Sequence, residues 1–161
     1  MSVFKNTFSR ALSIIPSDSV IIPYIGNSVL SNTITGTAVT KLIDSTATFK
    51  TKQVAIGDIV YNNNTFQSAN VTGIDSETQL SIDNNIFSVI GNSYTIFYTS
   101  SYHGETNVNC YLYIGTAGNL KVQTAGGDII TFVAVPVGLF PLQVNKVFAT
   151  GTGASNIVAL W

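Results

Sequence analysis

The chain contains one histidine, His103, and one cysteine, Cys110, seven residues apart. A cysteine nucleophile needs a base in contact with it and a third group that orients the base. Nothing in the surrounding SYHGETNVNC supplies that third group, and a histidine in so polar a stretch is expected to be an exposed loop residue. One residue of each type also falls short of the several His or Cys ligands that a structural zinc ion takes. A lone cysteine cannot close an intramolecular disulfide, so stability must rest on core burial, self-association or a partner.

Carboxylates are the next source of chemistry, since a glycosidase needs only a pair of them facing one cleft. Here the acids stand in turn contexts: Asp44 in IDSTA, Asp58 after Gly57, Asp75-Ser76-Glu77 at a hairpin tip, and Asp83 before Asn84-Asn85. A turn aspartate accepts hydrogen bonds from the nearby backbone, and turn formation is the expected role of all four. The Asp and Asn clusters around Asp83 and residues 62–64 leave calcium open, but the loop pattern of an EF-hand is absent. No G-x-S-x-G elbow is present. The glycine-rich GTAGN (115–119) and TAGGD (124–128) run into the strand-like LKVQT and IITFV, whereas a phosphate-binding loop must open a helix. Both are expected to be hairpin turns, with Gly126-Gly127 supplying positive φ. The expectation is a protein that is not an enzyme, with no catalytic residues, cofactor or metal site.

The elements around these residues read as strands. Of 161 residues, 45% are apolar and only 9% charged, with a formal net charge of −1, against a usual charged share of roughly a quarter. That profile opposes disorder, and it leaves no basic surplus to hold nucleic-acid phosphates. No run approaches the roughly eighteen apolar residues that span a bilayer, and the N-terminal stretch lacks a signal-peptide pattern. The expectation is a protein made in a host cytoplasm and not inserted in a membrane.

After an expected short helix at about 5–12, ended by Pro16, SVIIPYI (19–25) reads as an edge strand because Pro23 cannot donate to a ladder. Eleven further short runs follow: TITGTAVT, ATF, DIVYN, SANVTGI, TQLSI, YTIFYT, NCYLYIG, LKVQT, IITFVAV, LQVNKVFA and NIVAL. Their richness in Val, Ile, Thr, Tyr and Phe, broken by Gly, Asn, Asp and Ser, is the signature of an all-β sandwich or barrel. The polar SSYHGETNVN (100–109) reads as a linker. Two series result. The expected fold is an antiparallel, jelly-roll-like β-sandwich built from 1–30 and 103–161, with a small β-barrel or β-sandwich module inserted at 31–102.

Tyr94, Phe97, Tyr98, Tyr102, Tyr111 and Tyr113 crowd the join between the series. Alternation puts them on opposite faces, so core packing, a carbohydrate-binding face and a subunit interface are all open to them. In the terminal ATGTGASNIVALW, Ile157, Ala159 and Trp161 alternate with Val158 and Leu160. A strand apolar on both sides belongs inside a sandwich or between subunits, with Trp161 as core plug or interface anchor. The residues expected at an interface are Tyr111, Tyr113, Phe140 and Trp161.

The phrases YLYIGTAGNL, AGGD, TFVAVPVG and ATGTGASNIVALW, in that order, resemble the spike base protein family of gene transfer agents and tailed phages. IPSDSV (15–20) is similar to that family's short lead. Small members pass from the lead almost directly into the YLYIGTAG strand, whereas this chain interposes residues 31–102. The phrases GTAVTKLIDSTATF, VAIGDIVYN and VTGIDSETQLSI there are similar to a β module of marine phage structural proteins. The resemblance implies a virion protein on the head exterior, a capsid decoration (cement) protein or the base of a head spike or fibre. It implies the major capsid protein, further copies of itself (a homotrimer or other homo-oligomer) and a spike or fibre protein as partners. A tail- or fibre-associated adhesion module binding host glycans is the alternative.

Overall fold

The computed structural model describes residues 7–104 and 106–161. The fold is all-β: two antiparallel six-stranded sheets, an arrangement consistent with a β-sandwich and with no closed barrel among the described residues. The strands are β1 (Ala11–Ile14), β2 (Ser28–Thr33), β3 (Lys41–Ile43), β4 (Ile59–Asn62), β5 (Ser68–Ile74) and β6 (Gln79–Ile82). They continue as β7 (Ser93–Phe97), β8 (Cys110–Thr116), β9 (Gly118–Thr124), β10 (Ile129–Val135), β11 (Gly138–Val147) and β12 (Ser155–Leu160). The first sheet runs β1-β12-β8-β11-β9-β10 and the second β2-β7-β4-β5-β6-β3. The chain therefore leaves the first sheet after β1, builds the whole second sheet, and returns at β8.

Each sheet curls over its own apolar core. In the first, alternation along β8 turns Cys110, Leu112 and Ile114 inward, where they meet Leu120, Val122, Val144, Ile157 and Ala159. In the second, Leu42, Val60, Val71, Leu80 and Ile96 close around Phe49, Phe87 and the fully buried Tyr94. Each such Leu, Ile or Phe contributes roughly 1.5–3 kcal/mol through its removal from water. The Tyr94 hydroxyl donates to Asp44 Oδ2 at 2.7 Å, and Asp44 Oδ1 accepts from the Thr46 N–H at 2.9 Å. Burial first, then the Asp44 carboxylate, pushes the Tyr94 phenol far above its ordinary value. Asp44 is thus the expected turn acid and also the polar pin of a core.

Several expectations change. The helix expected at 5–12 begins on residues outside those described. From Ala11 the backbone is a strand, because β1 pairs in register with β12, Ala11 opposite Leu160 and Ile14 opposite Ile157. SVIIPYI is not a strand: Ile22 N–H reaches Asn145 O at 2.8 Å and Ser17 N–H reaches Val147 O at 2.9 Å, isolated bonds between prolines that cannot donate. ATF is a turn whose Phe49 is nonetheless buried. β11 starts at Gly138, four residues before the expected LQVNKVFA run, and contains Pro141. It bends through two register shifts, so that it pairs with β8 at one end and β9 at the other.

The two glycine loops have different jobs. TAGGD is a hairpin between the paired β9 and β10, with Gly127 at φ 95°. GTAGN is not a hairpin, because β11 lies between β8 and β9. Its glycines serve close approach instead. A Cβ on Gly118 would stand 2.5 Å from Ala154 N, and one on Gly115 would stand 2.7 Å from Asn156 O.

Candidate functional site

The SSYHGETNVN stretch is more than a linker. Ser101–His103 forms one 3₁₀ turn that carries the histidine side chain back onto the second sheet. His103 Nε2 lies 3.0 Å from Asp58 Oδ2, with the His103 side chain 7% and the Asp58 side chain 0% exposed. The imidazole stacks on the Tyr98 ring at 3.6 Å and meets the Tyr102 ring edge-on. The exposed loop histidine expected from the sequence is therefore buried and paired, a contact between residues 45 positions apart that spacing does not reveal.

Asp58 is fully engaged. Its Oδ1 accepts from the N–H groups of Thr99 and Ser100, both at 3.1 Å, and its Oδ2 from Ala55 N–H at 2.8 Å. Ser100 Oγ is buried without a hydrogen-bond partner. A serine, a histidine and an aspartate are thus neighbours, but the serine makes no bond to the histidine, and the aspartate is spent on holding backbone. The geometry fastens the loop that leads from β7 toward β8. Cys110 is buried beneath β11, its Sγ 3.5 Å from Val144 O, and burial pushes its thiol up to about 12. At neutral pH it is a protonated core residue. No group of three or more His, Cys, Asp or Glu side chains able to hold a metal ion occurs among the described residues.

The four residues expected at an interface divide. Tyr111 and Tyr113 point to the outer face of β8, Tyr113 with 43% of its surface exposed. Tyr111 packs on Phe8 at 5.6 Å between ring centres, and Trp161 on Tyr24 at 5.8 Å. Trp161 Nε1 donates to Val108 O at 2.9 Å. Tyr111 and Trp161 line one open groove of about 300 Å³ with Phe8, Val108 and Leu160. Phe140 is different: it is buried, with its ring 5.0 Å from Phe132, and belongs to the core. The β11 register that puts Phe140 opposite Leu112 turns it inward.

Two further surfaces stand out. A polar cleft of about 500 Å³ lies where the two sheets meet, lined by Asp18, Ser19, Gln67, Asn84 and Asn85 among others. Asp18 there is held by Thr150, whose N–H and hydroxyl donate to it at 2.9 and 2.7 Å and lower its pKa. The second surface is apolar. Ile129, Ile130, Val133, Val137 and Leu139 are all exposed on β10, β11 and their connection, and a cup of about 390 Å³ opens between Phe132 and Pro141. Residues 129–145 contain no charged side chain. That run was visible in the sequence as IITFVAVPVGLFPLQVN, but apolar residues in a strand read as core until the strand's place at the sheet edge is known.

No helix among the described residues is long and apolar enough to cross a membrane. Comparison with family models, curated proteins and solved structures gives no match for this chain.

Proposed function

We propose that the chain is a non-enzymatic structural protein of a phage-like particle, a capsid decoration protein or the base of a head spike or fibre, held on the head exterior by the major capsid protein and by copies of itself. The observation that carries the reading is the uncharged apolar surface formed by β10 and the first residues of β11, a docking face with no chemistry attached to it. It lies in the same sheet as the phrases of the second series that resemble the spike base family: β8 holds YLYIGT, the β9–β10 hairpin holds AGGD, and β12 holds SNIVAL. The few charges elsewhere favour packing among identical neighbours over recognition of a charged ligand.

The test is binding of the purified protein to capsid shells of the parent particle that lack it. Saturable co-sedimentation, with an ordered extra density on the shell in a cryo-electron map, is the expected result. Shells that bind none of it would overturn the reading. A glycan-binding adhesion module is the second reading, favoured by the amide-lined cleft between the sheets, although no aromatic side chain lines that cleft to stack on a sugar ring. A glycan array gives silence under the first reading and a defined set of sugars under the second.

A further inference from the structure

We propose that β10 is a self-association edge, and that two copies of this chain pair their β10 strands antiparallel about a twofold axis, joining their first sheets into one continuous sheet. β10 ends its sheet and pairs only with β9, so its outer row of backbone N–H and C=O groups faces no strand among the described residues. Edges of this kind are usually short, charged or covered. The other edges are shorter or more polar: β1 has four residues, β3 has three and carries the Lys41–Asp75 ion pair, and β2, six residues long, exposes Ser28, Ser31 and Thr33. β10 has seven residues, with Thr131 its one polar member.

Burial shows that the core is left open on this side. The register sets Ile130 opposite Val122 and Phe132 opposite Leu120, so both point to the core face beside fully buried neighbours. Ile130 is nevertheless 46% exposed, and Phe132 only half-buried. A further strand beside β10 would cover them. On the other face Ile129 and Val133 are exposed as well, so both faces of the added strand would meet apolar side chains.

A second copy fits this edge for a reason of symmetry. In an antiparallel pair about a twofold axis, the residue on the axis meets its own copy and a charge there would meet its like. β10 carries none, and Lys121, opposite Thr131, is drawn aside with its Nζ 5.1 Å from the centre of the Phe148 ring. With the axis near Thr131, Ile129 of the second copy comes to the Val133 end, beside the apolar cup. Pairing along β10 would cover Ile129, Ile130 and Val133, the exposed apolar side chains of the edge strand itself. The pairing is also self-limiting. A bulge follows Phe132, where Ala134 has φ 52° and gives its N–H to Asn119 Oδ1 at 3.1 Å, and it ends the regular edge after four residues. One isologous contact uses the edge up and leaves a closed dimer.

The inference deepens the self-association part of the proposed function, but it is tested on the isolated full chain, whereas shell binding tests the proposed function itself. Sedimentation velocity at tens of micromolar is expected to give a species of twice 17.1 kDa. Thr131→Lys and Thr131→Asp, each an exposed position, are expected to weaken the dimer at least about tenfold through like-charge repulsion while leaving far-UV circular dichroism and the melting temperature of the monomer unchanged. Mixing these two variants should restore a dimer, and Val39→Lys, in the exposed turn before β3, should leave the native dimer intact. A monomeric native protein, a trimer, or a dimer indifferent to both charges at Thr131 would overturn the proposal.

Discussion

Asp58 offers two oxygens to four donors: the N–H groups of Ala55, Thr99 and Ser100 and the imidazole of His103. Because the carboxylate is buried, Asp58→Ala leaves backbone donors unpaired away from water, each costing about 1–3 kcal/mol. We expect a loss of at least about 3 kcal/mol in a denaturant titration, and a loss of only about 1 kcal/mol for His103→Ala, which removes one donor and leaves the others served. Equal losses would mean that the histidine, not the backbone, is what Asp58 holds. Asp75 makes a pH-dependent contribution. Lys41 first, then Gln79 and Ser81, bond to its carboxylate and hold its pKa at about 2. The unfolded value lies near about 3.9, so the folded protein favours the ionised form. The stabilisation is complete above the unfolded value and lost as pH falls through about 2. The pair is partly exposed, so the effect is at most about 1 kcal/mol. The melting temperature of Asp75→Asn should lie below that of the native protein near neutral pH and converge with it toward pH 2; a gap that persists there would assign the effect to packing instead.

At the scale of elements, the sequence pattern was legible wherever a strand is half-buried and bounded by turn residues. SANVTGI and IITFVAV match β5 and β10 residue for residue, and the aspartates at 44, 58 and 83 do accept backbone hydrogen bonds. Legibility failed where a distant partner decides. β1 is a strand because β12 lies beside it, β2 because β7 does, and His103 is buried because Asp58 waits 45 residues upstream. Exposure of β10 was hidden for the same reason, since only topology makes it an edge. The strand NIVAL was read correctly as apolar on both sides, and β12 sits between β1 and β8 with Ile157 and Ala159 buried. Removing residues 157–161 would strip both neighbours of a ladder and open the first core, so the truncated chain is expected to be insoluble when expressed. A soluble, cooperatively melting product would refute this. Gly118→Ala probes the other side of the same junction. Its new Cβ would overlap backbone at 153–154, not a flexible side chain, so a loss of about 1–3 kcal/mol is expected by thermal melting.

The whole molecule is two cores joined by a narrow junction. No apolar residue is shared between the first cluster, built around Leu112 and Val122, and the second, built around Leu80 and Tyr94. What crosses the junction is hydrogen bonding and a narrow apolar crevice in which Tyr61 of β4 meets Ile14, Val20, Ile22 and Val147. Tyr61 gives its hydroxyl to Ser13 O at 2.5 Å, burial raising its pKa to about 12. Asn70 reaches Ser19 O at 3.1 Å, and Asn107 joins the two connecting segments to each other through Ile22 O and Tyr24 N–H at 2.9 and 2.7 Å. Each such bond adds about 1 kcal/mol net, far less than either core, so the sheets are coupled but not fused. Leu112→Ala and Leu80→Ala should each cost about 2–5 kcal/mol, but in different places. In scanning calorimetry the first should lower a transition assigned to the β1, β8–β12 sheet and the second a transition assigned to β2–β7, each leaving the other within a few degrees of its native midpoint. A single transition displaced equally by both substitutions would show that the junction transmits the whole stability, and that the contacts across it carry far more than their number implies.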